Sequence, residues 1–184
     1  MRIYNYAAFY VAEPFSPYNL GAYATPDFKH YNLLRAWKAK DNSFPFLDAH
    51  ETTYNVRDDS CWEFTLKPRL RKRLNNSKNI VSILSSNTKE SRALKEEIEY
   101  GVGVLGLPLI IVYPELSNWE IGSGYDVGER AMKYWEKLPC LKKIIRSVPS
   151  VHVPLEKDRI QKALEDTDFM IQHKHSNFCW RYSD

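Results

Sequence analysis

The sequence predicts one α/β domain organised around a parallel sheet, and three observations carry that reading. Two short apolar runs, Asn79–Ser85 and Leu107–Tyr113, are continuous and rich in β-branched residues, the pattern of strands buried on both faces. Between them, Thr88–Leu105 places Leu94, Ile98, Val102 and Leu105 at helical spacing, with Lys95, Glu96 and Glu99 elsewhere on the wheel. Strand, helix and strand at this separation form a βαβ unit, and 184 residues suffice for one such domain and little more.

The same rhythm runs in both directions from this unit. Ile3–Val11 reads as a first strand, followed by a Pro/Gly/Tyr-rich loop from Glu13 to about Pro26. His30–Lys40 is a short helix with Leu33, Leu34 and Trp37 inward, and Phe44–Leu47 is a second strand. A polar loop, Asp48–Asp59, leads to a helix over about Ser60–Asn75, in which Pro68 predicts a kink or two shorter helices. The central helix has two candidate starts, a capping box of Asn87 with Glu90, and Ser91; Gly106 and Pro108 mark its end. Beyond Tyr113, Ser117–Gly128 is a glycine-bearing loop and Val127–Lys137 a helix. Lys143–Val153 is a last strand interrupted by Pro149, and Leu155–Asp166 a final amphipathic helix. Residues 1–172 are thus read as one domain and 173–184 as a loose tail.

Composition excludes several classes. No apolar run reaches membrane-spanning length, and the longest, Val102–Tyr113, is broken by glycines and a proline. The N-terminus lacks an export signal, and Cys61, Cys140 and Cys179 are odd in number and widely spaced, so a cytoplasmic location is expected. A net charge of +3 permits anionic partners without demanding them. The basic run Lys67–Arg73 carries Leu70, in step with Leu74, on a buried stripe and reads as a solvated helix face rather than a nucleic-acid patch. His173, His175 and Cys179 match no zinc spacing, so no metal is expected. Neither a phosphate-cradling glycine motif nor a Gly-x-Ser-x-Gly elbow is present.

The stretch Phe44–Glu115 carries a more specific pattern. Its second strand ends in Asp48 before a polar loop, and a basic helix ends in an Asn/Ser turn. A third strand ends in Ser85-Ser86-Asn87-Thr88, and a helix containing Glu97-Ile98 is followed by Gly106-Leu107-Pro108 and an apolar strand. This order is similar to the TIR-like proteins of bacterial anti-phage defence, the Thoeris type in particular. The resemblance implies a flavodoxin-like three-layer sandwich with a mostly parallel, about five-stranded sheet, and a pocket at the carboxyl ends of its strands. It also implies an enzyme that takes NAD as substrate, cleaves the nicotinamide–ribose bond and makes a cyclic or conjugated ADP-ribose signal. Self-association, a phage-derived activator and a downstream effector reached through that messenger follow from the same likeness. The alternative it leaves is a non-catalytic TIR-like interaction or nucleotide-sensing module.

Breaking the bond creates an oxocarbenium-like ribose, which a nearby carboxylate stabilises while flat aromatic rings stack the bases. Glu97 and Glu99 flank the buried face of their helix on opposite sides, so the wheel alone does not separate them; the family pattern, acidic just before Ile98, selects Glu97 as catalytic. The family often carries a tryptophan four residues earlier, where this chain has Ala93. Phe9 and Tyr10 correspond to dinucleotide-facing aromatics, although strand alternation sends one of them into the core. Asp48 either binds ribose or shapes its turn. Ser85, Ser86 and Asn87 stand at a helix N-terminus, as phosphate-binding backbone or as ordinary caps.

Overall fold

The computed structural model describes residues 2–11, 26–50 and 62–173 and the backbone of 179–180. In chain order its elements are β1 (Tyr4–Ala8), α1 (Phe28–Lys40), a π-helical turn (Trp62–Leu66) running into α2 (Lys67–Asn75), and β2 (Ser77–Ile83). Next come α3 (Arg92–Ile98), continued by a π-helical turn over Glu99–Val104, β3 (Leu109–Tyr113), α4 (Asn118–Ile121), and the two-residue strands β4 (Gly122–Ser123) and β5 (Asp126–Val127). The series ends with α5 (Glu129–Trp135), α6 (Pro139–Ile144), β6 (Ser150–Pro154), α7 (Lys157–Glu165) and the two-residue β7 (Cys179–Trp180).

Four full strands in the order β1-β2-β3-β6 form a parallel sheet, with Cys179–Trp180 paired beside Ser150–Val151. Alternation along each strand divides the core in two. Tyr6, Ala8, Ile80, Leu84, Leu109, Ile111 and Tyr113 point toward α2, α3, α5 and α6. Ala7, Val81, Ile83, Ile110, Val112, Val151 and Val153 point toward α1 and α7. The result is the predicted three-layer α/β architecture. No described helix is long and apolar enough to cross a membrane.

Several expectations shift. The strand at Phe44–Leu47 is reduced to one bridge between Asn5 and Asp48, because Phe44 and Phe46 turn into the α1 side of the core and only the segment's end reaches β1. There Asn5 N–H donates to Leu47 O (2.7 Å) and Ala49 N–H to Asn5 O (3.1 Å). Lys143–Ile144 belong to α6, and β6 begins only at Ser150, after Pro149. The Ser117–Gly128 loop contains α4, capped reciprocally by Ser117 and Glu120, and the short β4–β5 ribbon. Pro68 sits in the first turn of α2, where its missing N–H costs nothing, and the break predicted there is the π-to-α junction. Of the two candidate starts for α3, Ser91 caps it, accepting from Leu94 N–H. The Glu13–Pro26 loop, apart from Pro26, and the polar loop beyond His50 lie outside the described residues.

Candidate active site

Helix α3 returns across the sheet with Leu94, Ile98 and Val102 buried, and this seats Glu97 at the flank facing β1. Glu97 is 9% exposed. Its Oε1 accepts a hydrogen bond from the Tyr6 hydroxyl (2.9 Å), and its Oε2 is buried with no hydrogen-bond partner among the described residues. Burial pushes the Glu97 carboxyl up to about 8, against the opposing pull of the Tyr6 hydrogen bond and the Arg73 guanidinium. At neutral pH the resting group is therefore mostly protonated. By contrast Glu96, next in sequence, is paired with Arg71 and Lys67 (2.7 and 3.6 Å). Glu99 lies toward solvent near Lys95.

Tyr6 links Glu97 to a second group. Its ring lies 4.6 Å from that of His50, which in turn meets Tyr31 edge-on at 6.0 Å. Asp48 shapes this corner: its carboxylate accepts from the His50 backbone N–H (2.9 Å) and the Tyr31 hydroxyl (2.5 Å), with Arg35 at 3.8 Å. His50 Nε2 stands 2.9 Å from Ala7 O. Burial holds the imidazole below its usual value, to about 4, although the Asp48 carboxylate pulls the other way. His50 is thus neutral near pH 7.

Phe9 and Tyr10 divide between the two faces. Phe9 stacks on Tyr31 (5.0 Å) on the α1 side, whereas Tyr10 packs on the α2/α3 side that also holds Tyr6 and Glu97. Ser85, Ser86 and Asn87 lie elsewhere, beyond the end of β2. Their backbone N–H groups go to Thr88 Oγ1 (2.9 Å), Glu115 Oε2 (2.9 Å) and Ser85 Oγ (3.0 Å). Ser85 Oγ also donates to fully buried Asp27. Burial raises Asp27 above the usual carboxylate value, more than the Ser85 and Thr88 hydrogen bonds lower it. Ser85, Ser86 and Asn87 thus form a turn several residues ahead of the Ser91 cap and not the helix N-terminus expected, and the turn is filled internally and bordered by two acidic side chains.

The family model for the TIR-like domain of Thoeris protein ThsB matches residues 6–121. The chain belongs to that Thoeris TIR-like family. Membership points to anti-phage defence. The matched segment begins at Tyr6 and takes in Asp48, His50, Arg73 and Glu97, so the whole cluster around the glutamate lies within the family's domain.

Sequence reasoning missed Tyr6, His50 and Arg73. Tyr6 was legible, since it shares a strand face with Ala8 and Tyr10 and reaches the same side as α3. His50 had one local signal, its place two residues after a turn-forming Asp. Arg73 was hidden among the basic residues of α2. Among the described residues no three His, Cys, Asp or Glu side chains are placed to hold a metal ion.

Proposed function

We propose that the site around Glu97 cleaves the nicotinamide–ribose bond of NAD and forwards the ADP-ribosyl group to a cyclic or conjugated ADP-ribose signal. One observation carries this reading: a buried carboxyl, fixed through one oxygen by Tyr6, keeps its other oxygen without a partner in the described structure. Oxidised nicotinamide is a cationic ring. Brought against Glu97, its charge offsets the desolvation that holds the proton on, so binding expels the proton and leaves a carboxylate beside the ribose.

As the C–N bond breaks, its electron pair passes to the ring nitrogen and nicotinamide leaves neutral. The positive charge moves to the ribose, where the carboxylate stabilises it. A hydroxyl or water then bonds to the same carbon and loses its proton. Tyr10 shares the face of Glu97 and is the aromatic placed to stack a base there, with Asp48 and His50 shaping the neighbouring wall. Self-association or a phage component activates this reaction, and the product reaches a separate effector.

Chromatography of NAD incubated with the protein, with and without infected-cell lysate, tests the proposal. Nicotinamide release that is lost in Glu97→Gln supports it. The second reading, a module that binds without turnover, rests on Ala93: this small, half-buried side chain packs on the core where the family often carries a tryptophan. Folded protein that binds NAD yet releases no nicotinamide under any condition favours that reading.

A further inference from the structure

Ser82 is fully buried in β2, and its hydroxyl, like Glu97 Oε2, has no hydrogen-bond partner among the described residues. Buried hydroxyls are nearly always bonded, so the exception asks for a role. Its direction follows from alternation. Ile80 and Leu84 project toward α2 and α3, and Val81 and Ile83 toward α1 and α7, so Ser82 projects toward α3.

Its height along the helix is fixed by a close approach. Gly101 sits so near Ile80 that an added Cβ would lie 2.5 Å from Ile80 Cδ1. Because the helix of a βαβ unit runs back along the sheet, one turn earlier, about 5.4 Å, covers the strand about two residues further on, about 6.6 Å. That step carries Gly101 over Ile80 to Glu97–Ile98 over Ser82. Ala8 is the register neighbour of Ser82 and Tyr6 that of Ile80, so the Tyr6 hydroxyl approaches the same place from the adjoining strand. Two orphaned polar atoms therefore share one layer under α3.

We propose that Ser82 is a positioning residue for Glu97, its hydroxyl donating to Oε2 once the carboxyl ionises and completing, with Tyr6 on Oε1, a two-point hold on the carboxylate. This builds on the reading of Glu97 as the working carboxylate. The other groups around Glu97 are Tyr6 from β1, Arg73 from α2 and, behind Tyr6, His50 from the segment after the Asn5–Asp48 bridge. On its own helix Glu96 is already paired, and the face of β2 beneath α3 offers Ile80, Ser82 and Leu84. Ser82 is thus the neutral donor that β2 brings to this layer. Held at both oxygens, the carboxylate keeps one orientation toward the ribose; held at one, it swings.

Titration of the Glu97 side-chain carbon in 13C-glutamate-labelled full-length protein tests this without turnover, with Glu97→Gln assigning the resonance. The value of about 8 reflects burial against Tyr6 and Arg73 without a Ser82 bond, so the parent is expected to titrate below it. Ser82→Ala should raise the midpoint by about one unit, the effect of one lost hydrogen bond to the charged form, and Ser82→Thr, which keeps the hydroxyl, should restore it. Equal midpoints in the parent and Ser82→Ala would overturn the proposal, as would failure of Ser82→Thr to restore the midpoint in a variant that melts like the parent. The titration is read whether or not NAD is consumed. A shifted midpoint in a protein that releases no nicotinamide would keep the hold and discard the activity.

Discussion

Among the described residues, the acidic groups around Asp27 and around Glu97 use their hydrogen-bonding capacity in opposite ways. Around Asp27 and Glu115, beyond β2, every backbone N–H of the Ser85–Asn87 turn is taken up inside the protein, and Lys137 even reaches the Ser86 carbonyl (2.7 Å). Around Glu97, one oxygen is held and the other is left over among the described residues. A saturated cluster fixes a turn; an unsaturated one, kept at a desolvation cost, is where a ligand has something to complete.

The sharpest way to break this comparison is to neutralise each cluster. Glu97→Gln should lower nicotinamide release by about a thousandfold, the scale of losing a preorganised electrostatic group, while circular dichroism shows a folded protein. Asp27→Ala should do the reverse. Removing a fully buried partner of Ser85 and Thr88 should cost about 3 kcal/mol in urea unfolding and leave release per folded molecule within about threefold. Loss of activity without loss of stability would exchange the roles assigned to the two clusters.

Acidity separates them next. The folded-state value of Glu97, about 8, lies above its unfolded value near 4.5, so the native state holds an extra proton between them. Stability from this group is full below the unfolded value and lost as pH rises toward 8. His50 acts oppositely: lowered to about 4, it makes stability rise with pH up to the ordinary histidine value of 6.5. Burial lowers His30 in the same direction, and both histidine contributions level off above pH 6.5, so the fall toward pH 8 belongs to Glu97. Unfolding free energy should fall over that range by about 2 kcal/mol in the parent and stay flat in Glu97→Gln. The smallest effect is expected at Glu115. Burial raises its pKa, but hydrogen bonds from Ser86 and Tyr134 outweigh that and leave it below the usual value. Because the group is largely solvated, Glu115→Gln should change stability by less than about 1 kcal/mol in the same assay.

What the sequence made legible follows the range of the interactions involved. β2, α3 and β3 were readable because their apolar spacing is local and strong. The Phe44–Leu47 segment had the composition of a strand, yet pairing needs a partner, and β1 meets only its end, through Asn5 with Leu47 and the bridge to Asp48. Lys143–Val153 had apolar residues but two environments, α6 and then β6. At the site, Glu97 was chosen by family pattern, while its burial and its bond to Tyr6 span 91 residues of chain that no local rule relates. Ser85–Asn87 had the composition of an anion cradle. The occupants of that cradle, Asp27 and Glu115, come from 58 and 29 residues away.

The π-helical turn after Ile98 has a consequence for how this chain tolerates changes of length. Leu105 N–H reaches back five residues to Tyr100 O (3.0 Å), the sign of one residue more than an α-turn requires. Gly103 lies on the outer side of that turn, with nothing within 4 Å of where a Cβ would be. Deleting it lets the segment close as an ordinary α-turn, and the slack is absorbed before Gly106, whose φ of 64° ends the helix. A deletion of Gly103 is expected to be taken up downstream of Glu97, its carboxylate staying where Tyr6 holds it, which the urea midpoint of the deletion variant checks.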